Sequence, residues 1–148
     1  MAMTMTGEVQ LAAPRETVWE KLNDPDVLKA CIPGCEALER TEDNGFRAVA
    51  KMKVGPVSAR FKGKVMLSDL DPPNGYKISG EGEGGVAGFA KGGATVGLSD
   101  KDGGTLLSYN VEAQIGGKLA QLGQRLINGT AKKLADEFFA NFAKAVQG

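Results

Sequence analysis

The chain has 148 residues, close to one ordinary domain, and its 18 Lys plus Arg balance 18 Asp plus Glu. Neutrality argues against a dedicated nucleic-acid binder, which needs a basic excess for phosphate contacts, and no apolar run approaches the roughly 18 residues of a membrane span. There is no histidine, which removes Ser-His-Asp and Cys-His catalysis, histidine metal sites and the usual general base near neutral pH.

Residues 3–11 alternate, with Met3, Met5, Val9 and Leu11 on one side and Thr4, Thr6, Glu8 and Gln10 on the other, the pattern of a half-buried strand. Pro14 suits the first position of a helix whose apolar side is Val18, Trp19 and Leu22. Asp24 before Pro25 predicts a second short helix, capped by the Asp carboxylate and ended by Pro33-Gly34. From Cys35 to about Ile115 the chain reads as strands between turn signals: Asp43-Asn44-Gly45, Gly55-Pro56, Asp71 to Gly75, and Asp100 to Gly104. With the first strand this makes seven, successive strands being antiparallel neighbours. The segment 118–146 carries Leu119, Leu122, Leu126, Leu134, Phe138, Phe142 and Val146 at three- and four-residue steps. It predicts one continuous amphipathic helix, about 40 Å long. Gly123 and Gly129 each cost such a helix about 1 kcal/mol, which close packing or a ligand would explain.

The expected fold is therefore α+β, a single domain over residues 1–148. A curved seven-stranded antiparallel sheet is wrapped around a long C-terminal helix, with two short helices after the first strand: the helix-grip arrangement. Strand parity places many small residues on the inner face, among them Ala48, Ala50, Ala59, Gly63, Gly80, Gly82, Gly92, Ala94 and Ala113. Packed interiors tolerate few voids, so either the helix lies very close or an apolar ligand fills the space. Almost nothing ionisable points inward, which favours a hydrophobic ligand. Phe61, Ala94, Tyr109, Leu122 and Leu126 are the expected wall, with Phe89 covering the entrance.

The outer face carries Arg47, Lys51, Lys53, Arg60, Lys62 and Lys64 on the third and fourth strands. This is either an ordinary solvated face or a contact for anionic lipid headgroups or an acidic partner. Cys31 and Cys35 are spaced C-x-x-x-C, too few for a disulfide framework and without the histidines of a metal site, so free thiols are expected. Residues 1–7 lack the pattern of a secretory signal, and a cytoplasmic location is expected. The run Gly80 to Ala90 lacks Gly-Lys-Ser/Thr and does not join a strand to a helix, so it is no phosphate loop but a flexible turn that could gate a cavity. Asp69 with Asp71 and Asp100 with Asp102 flank turns and look solvated. Tyr76 and Tyr109 are the inward polar groups, better suited to orienting a ligand carbonyl than to moving protons. No catalytic, metal or cofactor constellation stands out.

Thr6-Gly7-Glu8 and Ala13-Pro14-Arg15-Glu16-Thr17-Val18-Trp19 resemble the opening of START-like, polyketide-cyclase-like helix-grip proteins. Asp24-Pro25, then Leu28 to Cys35 with its Cys-Ile-Pro-Gly core, is similar to a narrower family, the CoxG family of carbon monoxide dehydrogenase subunits. Val54-Gly55-Pro56-Val57, Phe61 to Val65, Asp71-Pro72-Pro73 and the stretch 80–93 agree with it, so the resemblance covers essentially the whole chain. It implies an accessory protein rather than a catalytic subunit, associated with maturation or membrane attachment of molybdenum-containing carbon monoxide dehydrogenases. It also implies a lipophilic pocket, for which a quinone or another lipid is an attractive occupant. The sequence ends at Gly148 without the tail and hydrophobic anchor of longer members. Peripheral contact at the inner membrane face through the basic stripe is the expectation in their place. The alternatives are a small cyclase- or hydrolase-like enzyme using Tyr76 or Tyr109 with an ordered water, and a ligand-free adaptor with a closed core.

Overall fold

Turn chemistry sets the strand boundaries, and the computed structural model describes residues 1–147, leaving Gly148 outside. The strands are β1 (Ala2–Leu11), β2 (Cys35–Thr41), β3 (Gly45–Val54), β4 (Val57–Asp71), β5 (Gly75–Glu83), β6 (Phe89–Lys101) and β7 (Gly104–Gly116). They form one antiparallel sheet in the order β1-β7-β6-β5-β4-β3-β2, so every chain neighbour from β2 to β7 is a sheet neighbour. Asn44 takes the left-handed conformation expected of its turn (φ 61°). Gly45 does not, and it opens β3 where a Cβ would strike the Val65 carbonyl oxygen at 2.2 Å.

Between β1 and β2 lie α1 (Arg15–Leu22) and α2 (Pro25–Cys31). Pro14 is the residue just before α1 and not its first member. The Asp24 carboxylate accepts the Asp26 N–H at 2.9 Å, as the Asp-Pro signal predicted for α2.

The predicted single C-terminal helix is two: α3 (Lys118–Gln121) and α4 (Gln124–Gln147). Gly117 and Gly123 both adopt positive φ (72° and 93°), so the chain turns on leaving β7 and again before α4. The apolar three-four spacing runs through the break and hides it, because one tight turn returns the chain to the same face. Neither helix glycine is explained by packing: a Cβ at Gly123 or at Gly129 meets nothing within 4 Å. At Gly123 the backbone conformation is the reason, since only glycine adopts it without strain.

All hairpin turns between β2 and β3, β4 and β5, and β6 and β7 share one end of the sheet. There Leu11, Val18, Leu107 and Phe142 are at most 1% exposed, and the buried Thr105 hydroxyl donates to the Ala13 carbonyl at 2.7 Å, tying β7 to the entry of α1. A second, smaller cluster of Met3, Val54, Ile115, Leu119 and Ile127 sits at the other end, where α4 begins. Gly80 faces Gly92 across the β5–β6 ladder. A Cβ there would lie 2.6 Å from the Lys64 carbonyl oxygen or 2.0 Å from that of Glu112. These two inward glycines are explained by the close approach of neighbouring backbone and do not line open space.

Candidate ligand cavity

Between the two apolar clusters the sheet and α4 enclose a cavity of about 550 Å³. The middle of α4 presents Ala131, Leu134, Ala135, Phe138 and Phe139, at helical spacing, to the concave sheet. From the sheet come Ala48, Gly63 and Ala94 at the centre, ringed by Val65, Ile78, Val96 and Val111. One wall comes from outside both elements: Leu22 of α1, Leu28 of α2, and Ile32 and Pro33 after it. Among the described residues no charged side chain lines this space. The volume lies within the range of about 300–1,000 Å³ typical of small-molecule pockets.

Tyr76 lines the closed end, its ring edge-on to Trp19 at 5.3 Å between centroids and 89° between planes. Burial pushes its phenol pKa up to about 12, so it remains a neutral hydrogen-bond donor throughout the physiological range. Tyr109 also borders the cavity and stacks on Phe139 at 5.2 Å and 18°. Its hydroxyl reaches across Gly7, its partner on β1: a Cβ at Gly7 would lie 2.3 Å from that oxygen.

Of the six residues expected at the ligand, Ala94 and Tyr109 are on the cavity wall. Phe61 and Leu122 pack instead against the second cluster, with the Phe61 ring against Gly84. Leu126 is 37% exposed in a surface cleft beside Gly129. Phe89 is no lid: it points to the convex face, 48% exposed, with its ring against Gly116. The loop before it is a short 3₁₀ turn, Gly85–Ala87, in which Ala87 is buried and Gly84 N–H donates to the Gly88 carbonyl at 2.9 Å. Parity placed Phe61 on the correct face, but parity gives no depth along a strand. Sequence reading missed the α1–α2 wall, whose signal was the apolar run Val27, Leu28, Ile32 on a segment too short to have another core to face.

The cavity adjoins a surface cleft on each flank of α4, sharing Tyr109 and Phe139 with the one beside β1. Pro33, Met52 of β3 and Leu134 of α4 line both the cavity and a surface cleft that also holds Lys51, Lys53, Lys133 and Glu137. Two side-chain hydrogen bonds tie α4 to its neighbours. Asn141 donates to the Cys31 carbonyl at 3.0 Å, fastening α4 to α2, and Gln124 donates to the Ala2 carbonyl at 3.0 Å, fastening it to β1.

The convex stripe is less basic than its sequence implies. Arg47 pairs with Glu39 (3.3 Å), Arg60 with Glu36 (2.8 Å) and Lys64 with Asp43 (3.4 Å). Lys62 faces Glu83 across the β4–β5 ladder. Arg60 holds the Glu36 carboxyl below its ordinary range, chiefly by their hydrogen bond. Cys31 and Cys35 are free thiols, and burial raises the pKa of both, so they stay protonated near neutral pH. The Asp69, Asp71, Asp100 and Asp102 side chains are exposed at the turns. Among the described residues no group of His, Cys, Asp and Glu could hold a metal, and no helix is long and apolar enough to cross a membrane.

A curved sheet gripping a helix around an uncharged cavity defines a helix-grip domain, and solved structures share it. One is a conserved protein from Geobacillus kaustophilus, 34% identical, covering 98% of this chain and 95% of that one with a TM-score of 0.92. Ara h 8.0201 is 16% identical with a TM-score of 0.66, each chain covered over 99%. A protein from Rhizobium leguminosarum is 15% identical with a TM-score of 0.76, over 99% of this chain and 95% of that one. The last two likenesses establish the fold alone. Residues 7–147 match the CoxG family of carbon monoxide dehydrogenase subunits, and the chain belongs to that family. No curated protein matches it.

Proposed function

We propose that the protein is a non-catalytic accessory of a carbon monoxide dehydrogenase-type molybdenum hydroxylase, and that it holds a hydrophobic small molecule, a quinone or another lipid, between sheet and helix. The observation that carries this reading is the cavity of about 550 Å³ with no charged lining. A space of that size left empty would forfeit dispersion contacts along its whole surface, and an uncharged lining gives an ionic substrate no compensation for desolvation. The family name supports the dehydrogenase as partner. Tyr76, neutral and buried, is suited to donate a hydrogen bond to a carbonyl on the cargo. The cargo's origin would place the protein in the cytoplasm at the inner membrane face, drawn there by its basic residues. An enzyme on this fold would need an acid or base inside, and the cavity offers only phenols.

The test is native mass spectrometry of protein purified from its own host, followed by organic extraction. A co-purifying quinone or lipid is the expected result. If the protein emerges empty, and Ala94→Trp binds a neutral apolar dye as well as the wild type does, the carrier reading fails and an adaptor with a structural cavity replaces it.

A further inference from the structure

Two hydroxyls are buried at the closed end, and the fold treats them differently. Thr105 serves the structure, donating to the Ala13 carbonyl at 2.7 Å. Tyr76 is only 6% exposed, its ring held edge-on by Trp19. It shares its face with Ile78 and, across the ladder, with Val96, both on the cavity wall. Among the described residues no protein group hydrogen-bonds the Tyr76 hydroxyl, and no side-chain oxygen sealed from solvent lacks a partner; the hydroxyl therefore opens onto the cavity that Tyr76 lines.

Tyr109 does not converge on the same point. Tyr76, Val96, Tyr109 and Gly7 form one row across β5, β6, β7 and β1. Two strand spacings of about 4.8 Å each separate the two tyrosine backbones. The Tyr109 hydroxyl leans over Gly7, on the side away from Tyr76. The closed end thus offers one donor, not a pair that could clamp two acceptors. The cleft beside β3 lies at the other end of the sheet: its Met52 pairs with Ala59 near the start of β4, whereas Tyr76 follows the turn that ends β4.

We propose that Tyr76 selects and orients the cargo: a neutral apolar molecule with a carbonyl at one end, lying head-inward, its oxygen accepting from Tyr76 and its hydrocarbon part running toward Met52. The inference rests on the cavity reading above and adds to it the cargo's polar group, the residue that recognises it and the direction in which it lies. A carbonyl matches a lone donor, because it accepts and brings no proton of its own. An alcohol paired with the phenol would leave one of their two protons without an acceptor. A carboxylate would find no cation on the lining.

The test uses two probes of one shape: 2-acetylnaphthalene, and 2-isopropenylnaphthalene, in which a methylene replaces the carbonyl oxygen. Tyr76→Phe removes the hydroxyl and keeps the ring against Trp19. It should weaken the ketone about fivefold, the worth of one neutral hydrogen bond, and leave the hydrocarbon unchanged. Hydrocarbon uptake by the variant also reports that its fold is intact. In the wild type alone, the infrared carbonyl stretch of the bound ketone should lie below its position in alkane, a signature that packing does not produce. The proposal is overturned if that stretch is unshifted, or if the substitution weakens both probes equally or neither. If the wild type takes up neither probe, the cavity reading fails and the proposal with it. Uptake of both without a ketone-specific loss sinks the Tyr76 assignment and leaves the cavity standing.

Discussion

The two ends of the sheet are built from the same strands and solve opposite problems. At the turn end, Leu11, Val18, Leu107 and Phe142 are at most 1% exposed, and the buried polar side chain of Thr105 is satisfied by a backbone carbonyl. At the other end the cluster is smaller, none of its five members is below 7% exposed, and the helical segment is broken by Gly123. The cavity lies between them. Stability is concentrated where α1 and the end of α4 close the grip, which frees the other end to stay open beside its cavity. A helix packed tightly along its whole length would fill the space a ligand needs.

The largest effect expected from this contrast is on stability. Phe142→Ala should cost about 3–5 kcal/mol, the range for emptying a fully buried aromatic site, read as a lower urea midpoint at unchanged slope. Leu126→Ala, at the start of α4, should cost less than about 1 kcal/mol because the side chain is already partly in water. Equal losses would show that the ends share the load and would break the comparison.

Tyr76 sharpens it through pH. Its folded-state pKa is raised from 10.0 to about 12 by burial. Below pH 10 the phenol is protonated in both states, and its contribution is fully present. As pH rises from 10 to 12 the unfolded chain loses the proton first, so stability falls, by roughly 3 kcal/mol over the window. Urea unfolding across that range should show a steeper decline for the wild type than for Tyr76→Phe. Parallel curves would place the phenol in contact with solvent.

Ala94→Trp probes the space between the ends. A bulky ring at the cavity's centre should abolish apolar dye uptake while changing stability by no more than about 1–3 kcal/mol, the usual cost of overpacking. In a site with no room, the same substitution would fall at or beyond the top of that range, and dye uptake would be a poor guide.

How much of this was legible beforehand follows the physics of each signal. Alternation and turn residues are local, so seven strands, the antiparallel succession of β2 to β7 and the two short helices could be read directly from residues such as Asn44, Asp24 and Pro33, whereas the pairing of β1 with β7 and not with β2 could not. The helix break was hidden because Leu119, Leu122 and Leu126 keep their spacing across Gly123, and a positive φ leaves no mark beyond the glycine itself. At the cavity, Ala94 and Tyr109 were found because parity selects the face. Phe61 and Leu126 sit outside it because parity and helical phase say nothing about distance along an element. The Leu28–Pro33 wall depends on how a connection folds back over the sheet, a tertiary fact without a periodic signature. The neutralisation of the basic stripe was invisible in the sequence, since it depends on which carboxylates the register sets beside Arg47, Arg60 and Lys64.

The smallest effect offers the finest discrimination, because Gly123 and Gly129 lie six positions apart in the same segment and should respond with opposite sign. A Cβ meets nothing within 4 Å at either position, so sterics with neighbours cannot distinguish them. Backbone conformation does. Gly123 holds φ at 93°, where a side chain strains the chain by about 1–3 kcal/mol, so Gly123→Ala should destabilise and loosen the start of α4. Gly129 lies inside α4, where alanine lowers the entropy of the unfolded chain and raises helix propensity. Gly129→Ala should therefore stabilise by about 0.4–1 kcal/mol, measured as a rise in the urea midpoint. It should leave dye uptake unchanged, because Gly129 borders the outer cleft and not the cavity. A loss of stability at Gly129 would mean that the first turns of α4 are not the regular helix described, and the contrast between the two ends would have to be redrawn around a mobile helix start.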